Sequence, residues 1–217
     1  MKNLLSKEIK LAASPLSWLF LTFALMALIP RYPILVGAFF VCFGIFQSVQ
    51  SGRENNDVLY TVLLPVRKTD AVKAKYAFAA LIEMLGFALN VILTLVRMLL
   101  MADAAPYKTN VMMNANQYYL AFILLVFTLF NVVFLGGFFK TAYKFGKPFV
   151  AFIVLSFLLI GVGETLHHLS GLAFLNETAP IGNPVMWGIL GGAAVIYALA
   201  TYLSCRVAMK NFEKVDM

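Results

Sequence analysis

The chain has 217 residues, of which 62% are apolar and 12% are charged, and its mean hydropathy is +0.86. Soluble proteins carry roughly a quarter of charged residues, so this composition excludes a soluble fold and indicates an integral membrane protein. The net charge of +7 does not imply a nucleic-acid partner, because the basic residues lie at the ends of hydrophobic runs, where lipid headgroups and topology account for them.

Residues 1–14 are predicted to form an amphipathic helix that lies in the membrane interface. Three lysines occupy one side of this helix, and a stripe of apolar residues occupies the other. The stripe consists of Leu4, Leu5, Ile9 and Ala12. No small-x-small cleavage site follows the apolar run that ends at Ile29, so we expect the segment to remain in the mature chain.

Six hydrophobic runs follow, and each is close to the roughly 20 residues that cross a bilayer as a helix. They cover residues 12–29, 33–49, 76–101, 118–139, 148–162 and 185–205. The predicted fold is therefore an all-α integral membrane protein with six transmembrane helices in one domain, residues 1–217. Only a short turn at residues 30–32 separates the first two runs, so we expect them to form a tight helical hairpin.

Lysine and arginine counts predict the orientation. The N-terminal segment, the loop 53–75, the loop 140–147 and the C-terminal tail together carry fourteen basic residues. The opposite side carries two, Arg31 and Lys108. Because basic residues concentrate in cytoplasmic loops, we expect both termini and the loop 50–75 in the cytoplasm.

The loop 50–75 is the longest charged interval of the chain, and its first part predicts a short amphipathic helix over residues 53–64. Its apolar positions recur at three- and four-residue spacing; they are Val58, Leu59, Val62 and Leu63. Ser51 and Gly52 are candidate N-caps, and Pro65 should end the helix because it lacks an N–H group. Thr69 and Asp70 are expected to cap a second helix that leads into the third span.

Composition alone leaves two interpretations of this loop open. An amphipathic helix that merely connects two spans would show the same pattern. The second interpretation follows from a set of residues around the helix. The set comprises Glu54, Tyr60, Leu63, Leu64, Pro65, Val66, Arg67, Lys68, Val72, Lys75 and Tyr76.

With these residues the stretch resembles the ABC-2 type permeases, the membrane subunits of ATP-driven exporters. It is most similar to small six-span bacterial members, including exporters of phenol-soluble modulins and of antimicrobial peptides. It differs from larger members in having Asn55 and Asn56 after the acid, and in having Pro65 directly after Leu64. The resemblance implies that the loop contains a coupling helix, which docks on a separate ATPase subunit.

The resemblance also implies partners and site residues. The expected assembly has two ATPase copies that hold ATP and Mg²⁺, a second permease copy or a paralogue, and an amphipathic cargo, in the plasma membrane of a bacterium. This chain itself is expected to hold no cofactor. The implied coupling residues are Glu54, Asn55, Asn56, Asp57, Val58, Leu59, Tyr60, Val62, Leu63, Pro65, Arg67 and Lys68.

Two ionisable residues fall inside predicted spans. Glu83 lies about two turns from the cytoplasmic end of the third span, where it is expected to pair with a neighbouring helix or to line a path. Arg97 lies near the outer end of the same span and is expected to extend its guanidinium to the membrane surface.

The loop 164–184 on the outer side is unusually apolar for a connector. Pro180, Gly182 and Pro184 break it, and we predict a re-entrant segment, as the ABC-2 resemblance also implies. His167 and His168 are adjacent, so they point in different directions on a helix, and we expect no metal site.

No catalytic motif appears. Gly146-Lys147 is followed by Pro148, where a phosphate-binding loop needs Ser or Thr. We therefore predict that the chain is not an enzyme. Three function classes remain: an exporter permease, the substrate-capture membrane subunit of an importer, and a membrane-embedded enzyme or scaffold. Only the first gives the charged loop a role.

Overall fold

A computed structural model describes residues 2–101, 103–108, 110–141, 144–178 and 183–215. Throughout these ranges the regular structure is helical, in agreement with the predicted all-α class. The helices are α1 (Lys2–Lys7, followed by a π-helical turn Glu8–Ala12), α2 (Pro15–Leu19, continuing as a 3-10 helix Phe20–Leu28), α3 (Val36–Glu54), α4 (Asp57–Leu63), α5 (Lys68–Leu100), α6 (Ala105–Lys108), α7 (Gln117–Phe138, π-helical over Phe130–Leu135), α8 (Gly146–Leu166), a 3-10 turn (Ala173–Asn176) and α9 (Pro184–Glu213).

Four of the helices in the described ranges are long and apolar enough to cross a membrane: α5, α7, α8 and α9. A fifth candidate is formed by the segments Asn3–Ala12 and Pro15–Leu28, if this bent pair counts as one span. Helix α3 has 19 residues, but its last two turns are rich in polar residues. The predicted class of multi-pass membrane protein is thus confirmed, while the number six stays a prediction.

The chain bends by 90° between α1 and α2. Ser14 is extended and its hydroxyl accepts a hydrogen bond from the Leu16 N–H, and Pro15 occupies the first position of α2. Both residues are typical of a helix start, so the sequence itself interrupts the helix here. This geometry suits a segment that lies along the membrane surface before the chain turns into it, although that location stays a prediction.

Helices α2 and α3 pack as the predicted hairpin. Two glycines of α3 allow the contact, because a Cβ at Gly37 would lie 2.7 Å from the Phe23 carbonyl oxygen and one at Gly44 would lie 2.8 Å from the Phe20 Cβ. The interface is also polar at one point, where the hydroxyls of Ser17 and Ser48 lie 2.6 Å apart. Close backbone approach therefore depends on both glycines.

Helix α7 is at the centre of the core. Six phenylalanines of this region are buried between the neighbouring helices, and five of them lie beside another aromatic ring. They are Phe122, Phe127, Phe130, Phe134, Phe138 and Phe139. The aromatic side chains of α7 therefore serve internal packing rather than a surface.

The segment after α8 is held against the segment before α7. The Asn116 side chain donates to the Leu175 and Glu177 carbonyls at 2.8 and 2.9 Å, and the Asn114 N–H donates to the Asn176 side chain at 2.7 Å. Residues 179–182 of the predicted re-entrant segment lie outside the described ranges, so its path into the membrane stays a prediction.

Candidate coupling site

The short helix α4 is separate from α3. The structure corrects its predicted start: Arg53 and Glu54 belong to the end of α3, and α4 begins at Asp57. Ser51 and Gly52 are therefore inside α3 and are not caps. The chain turns at Asn56, which has a left-handed backbone (φ 53°), a conformation that Asn adopts more readily than most residues.

The predicted end of α4 agrees with the structure. The helix ends at Leu63, and Leu64 is extended (φ −72°, ψ 158°), as expected for a residue before Pro65. The next helix differs from the prediction, because α5 begins at Lys68 after Arg67 and has no side-chain cap. Thr69 and Asp70 lie in its first turn instead, where the Asp70 charge is favourable near the helix N-terminus.

The four apolar residues predicted as one face of α4 divide into two pairs. Val58 and Val62 are partly buried and pack on the hydrophobic core. Leu59 and Leu63 point away from it and are 42% and 73% exposed. Two more large side chains extend this exposed surface, Tyr60 and Leu64. We call Leu59, Tyr60, Leu63 and Leu64 the α4 apolar surface.

A cluster of four charged side chains fixes α4 to the rest of the protein. Lys75 of α5 lies between two acids, with its Nζ 2.6 Å from Glu8 Oε2 and 3.4 Å from Asp57 Oδ2. Lys7 completes the cluster, with its Nζ 2.6 Å from Asp57 Oδ1 and 3.1 Å from Glu8 Oε1. Two positive and two negative charges thus balance, and they join α1, α4 and α5.

The cluster is largely sequestered from solvent. The side chains of Lys75 and Glu8 are 6% and 5% exposed, and that of Asp57 is 15% exposed. The Lys7 ammonium also donates to the Thr61 hydroxyl, which in turn donates to the Asp57 carbonyl one turn earlier, both at 2.7 Å. Such satisfied charges cost much less to bury than isolated ones.

The pKa of Asp57 reflects this environment. Burial alone would raise it, but the charges of Lys75 and Lys7 and the hydrogen bonds that they donate lower the pKa below its ordinary value. The stabilisation from this carboxylate is therefore fully present above the ordinary aspartate pKa of about 3.9, and it is lost as the pH falls through the depressed value. Neutral conditions leave the cluster intact.

The other predicted coupling residues surround α4 without joining the cluster. Glu54 is exposed at the end of α3, and Asn55 and Asn56 are exposed in the turn that follows. Pro65 and Arg67 are exposed after α4. Glu54 accepts a hydrogen bond from the Gln50 side chain at 3.2 Å. The Lys68 ammonium donates to the Val215 carbonyl at 2.7 Å, so it anchors the C-terminal tail.

Sequence reasoning missed three of the four members of the cluster, Lys7, Glu8 and Lys75, and also Thr61, whose hydroxyl accepts from Lys7. A signal for Glu8 was present. It lies four residues after Leu4 and four before Ala12, and therefore on the apolar stripe of the N-terminal segment. An acid at such a position needs a cationic partner when the stripe is buried. Leu4, Glu8 and Ala12 are each at most 9% exposed.

Glu83 is in a second polar cluster, inside the membrane-spanning region. It is fully buried, and its Oε2 accepts hydrogen bonds from Asn131 of α7 at 2.8 Å and from the Tyr197 hydroxyl of α9 at 2.7 Å. Within the described residues, no lysine or arginine nitrogen lies within 4.0 Å of it. Glu83 therefore joins three helices, which is the first of its two predicted roles.

The π-helical part of α7 extends this cluster. Its wider turn includes Asn131, whose backbone carbonyl accepts hydrogen bonds from the Tyr76 hydroxyl at 3.2 Å and the Ser204 hydroxyl at 2.9 Å. The Asn131 side chain also donates to Thr201 at 3.1 Å. Single π-helical turns are often found at functional positions, and here the turn presents one residue to both neighbouring helices.

Replacement of Glu83 should show what this carboxyl contributes. In Glu83→Leu the Tyr197 hydroxyl loses its acceptor and the Asn131 amide loses one of two. We expect a loss of about 1–3 kcal/mol for an orphaned buried donor, visible as a lower thermal unfolding temperature in detergent. Glu83→Gln keeps an acceptor oxygen and should remain close to the parent protein. Equal stability of the two variants would contradict this assignment.

Arg97 does not extend to the membrane surface, which corrects the prediction made for it. Its side chain is 2% exposed, and its guanidinium donates to the Ala27 carbonyl and the Asn114 side chain, both at 2.8 Å. The Tyr107 ring lies 4.6 Å from its Cζ. These partners come from three segments, so inward bonding is more favourable than extension to the surface.

Comparison with known proteins gives a family match. A family model described as ABC-2 family transporter protein matches residues 3–213, a range that includes the charged cluster, α4 and both polar sites of α5. No curated protein and no solved structure matches the chain.

Proposed function

The chain belongs to the ABC-2 family of transporter proteins, which makes it a membrane permease of an ABC transporter, and we propose that it acts as an exporter driven by separate ATPase subunits. In this proposal α4 is the coupling helix, and it docks in an apolar groove of an ATPase subunit. ATP and Mg²⁺ are held by two copies of that partner, and this chain has no catalytic role.

The observation that carries the proposal is the contrast between the two sides of α4. Its inner side is attached to the core by Val58, Val62 and the charged cluster, while Leu59 and Leu63 are exposed. Large apolar side chains on a rigidly attached helix are typical of a docking surface. A connector that lies in the membrane interface would insert the same side chains into lipid, and binding of the ATPase subunit distinguishes the two cases.

The function is tested by co-expression with a candidate ATPase subunit. We expect the two proteins to purify together and ATP turnover to rise when cargo is added. A substrate-capture subunit of an importer would instead bind its substrate with high affinity in the absence of the ATPase. A membrane enzyme or scaffold would show neither association nor stimulated turnover.

We further propose that two permeases, identical or paralogous, enclose the path. The outward face of α9 is open, because a Cβ at Gly188 or Gly192 would meet no atom within 4 Å. Small residues at this spacing favour close helix contact in membranes. A monodisperse active particle with a single permease would contradict the dimer.

The cargo is proposed to be an amphipathic peptide or another amphiphile. This rests on the resemblance to small peptide exporters and on the basic residues at one end of the spans. The α7 phenylalanines give it no support, because they are buried in the core. Deletion of the protein should change peptide secretion or peptide sensitivity, and an unchanged phenotype would remove this cargo class.

The proposed orientation in a bacterial plasma membrane can be measured by cysteine labelling. Replacement of Cys205, which is partly accessible, leaves only the buried Cys42. In this background an impermeant thiol reagent added to intact cells should label Asp103→Cys and should not label Lys68→Cys. Labelling of Lys68→Cys from outside would contradict the cytoplasmic location of α4, whereas labelling of both sites only after lysis would indicate an inaccessible outer loop.

A further inference from the structure

A groove of about 560 Å³ lies between the end of α7 and the second half of α9. Its walls are apolar apart from Ser204 and Lys140. It opens to the exterior of the protomer, and it is separate from α4 and from the charged cluster. Neither the proposed coupling nor the direction of transport uses it.

Small residues on both helices leave space at the walls of this groove. Gly136 and Gly137 line one side and Ala200 lines the other. A Cβ at Gly136 would lie 3.0 Å from the Ser204 hydroxyl, and one at Gly137 would lie 2.8 Å from the Pro148 Cβ. The absence of side chains at these glycines therefore allows α7 to approach its neighbours, and an apolar space lies beside them.

Lys140 marks one end of the groove. Its backbone N–H donates to the Gly137 carbonyl at 3.3 Å, which fixes it just beyond α7. Its side chain is exposed, and among the described residues no carboxylate lies within 4.0 Å of it. The same end of α9 carries Arg206 and Lys210, and Glu213, the one acid of α9, is its last residue. Lys140 is the charged residue among those that line the groove, so this end of the groove is positive.

We propose that this groove binds an anionic phospholipid. One acyl chain lies along the apolar walls, and the phosphate of the headgroup contacts the Lys140 ammonium. An acyl chain matches the apolar character of the space, and a lysine at the membrane surface attracts anionic headgroups. A neutral lipid would fill the groove but would leave the lysine without a charged partner.

A second permease copy fits the rim less well, because it would have to place a carboxylate at Lys140, and the charged residues at this end of α9 are mostly basic. The lipid assignment requires no ATPase and no direction of transport. Its success or failure is therefore independent of the proposed exporter function.

The test uses the purified full-length chain in detergent, freed of lipid, with palmitoyl-oleoyl phosphatidylglycerol and phosphatidylcholine as probes. Native mass spectrometry gives the lipid occupancy over a concentration series. We expect tighter binding of phosphatidylglycerol, and a loss of about fivefold in its affinity for Lys140→Ala, with phosphatidylcholine unchanged. Lys147→Ala, in the first turn of α8 and not among the residues that line the groove, is the control and should bind as the parent does.

A second pair of variants tests the acyl-chain position. Ala200→Trp fills the groove and should abolish specific binding of both lipids, whereas Ala198→Trp, on the exposed face of α9, should leave it intact. Thermal unfolding of each variant establishes that it is folded. Equal affinity of the parent protein for the two lipids would overturn the proposal, as would equal occupancy of Ala200→Trp and Ala198→Trp. Loss of dimers with retained lipid in Ala200→Trp would also overturn it and would assign the groove to a second copy.

Discussion

Replacement of Leu59 and Leu63 by alanine together should uncouple transport from ATP hydrolysis while the membrane spans stay folded. Both side chains are exposed on α4, so their loss leaves no cavity in the protomer. A buried anchor of an interface typically contributes about 2 kcal/mol or more, which corresponds to an affinity at least about thirtyfold weaker for the ATPase subunit. Binding of the purified partner and cargo-stimulated ATP turnover are the measurements.

Matched variants separate docking from folding. Leu158→Ala removes a side chain that is 62% exposed on α8, far from α4 in sequence, and should not change partner binding. Val58→Ala with Val62→Ala should instead lower the thermal unfolding temperature, because these residues pack on the core. Glu54→Ala is expected to have an intermediate effect on the association rate. Full partner binding by the Leu59 and Leu63 double variant would make α4 a connector only.

Lys75→Met should be among the most destabilising single replacements in the loop 50–75. Among the described residues it leaves Lys7 as the one cation paired with the Glu8 and Asp57 carboxylates, in a site where the side chains are largely buried. Breaking a buried ion pair by removing one partner costs about 3–5 kcal/mol. We expect a lower thermal unfolding temperature and increased proteolysis between α3 and α5, and weaker coupling because α4 is no longer held in place.

A neighbouring lysine provides the control for this variant. Lys73 lies on the same helix, but its side chain is 43% exposed and it pairs with Asp70 at 3.2 Å, an arrangement that contributes little to stability. Lys73→Met should therefore change the thermal unfolding temperature very little. Adding Glu8→Gln to Lys75→Met removes one of the two competing carboxylates and should restore part of the stability. If Lys75→Met and Lys73→Met behaved alike, the charged cluster would have no structural role.

The features that the sequence predicts well depend on local rules. Hydropathy predicts the membrane class, Pro65 predicts the end of α4, and the short turn after Ile29 predicts the hairpin of α2 and α3. Each of these follows from the properties of a few consecutive residues. The ABC-2 resemblance likewise rests on one continuous stretch, and the family match over residues 3–213 confirms it.

The features that the sequence predicts poorly depend on distant partners. Leu59 and Val58 have the same apolar character, and only the position of α4 against the core decides which of them is exposed. Arg97 would reach the surface on an isolated helix, but the Ala27 carbonyl and the Asn114 side chain come from segments 70 and 17 residues away. Glu8 and Lys75 are 67 residues apart, so spacing along the chain gives no indication of their pairing.

Helix α5 runs without interruption for 33 residues, which at 1.5 Å per residue is a rod of about 50 Å. Lys75 holds this helix near one end. Glu83 bonds it to α7 and α9 partway along, and Arg97 bonds it near the other end to the hairpin of α2 and α3. A rigid helix held at these three points passes a tilt from one end to the other, so we expect movement at Lys75 to be accompanied by movement at Arg97. The distances along the helix from Glu83 to these two residues, about 12 and 21 Å at the same rise, make the arm on the Arg97 side the longer one.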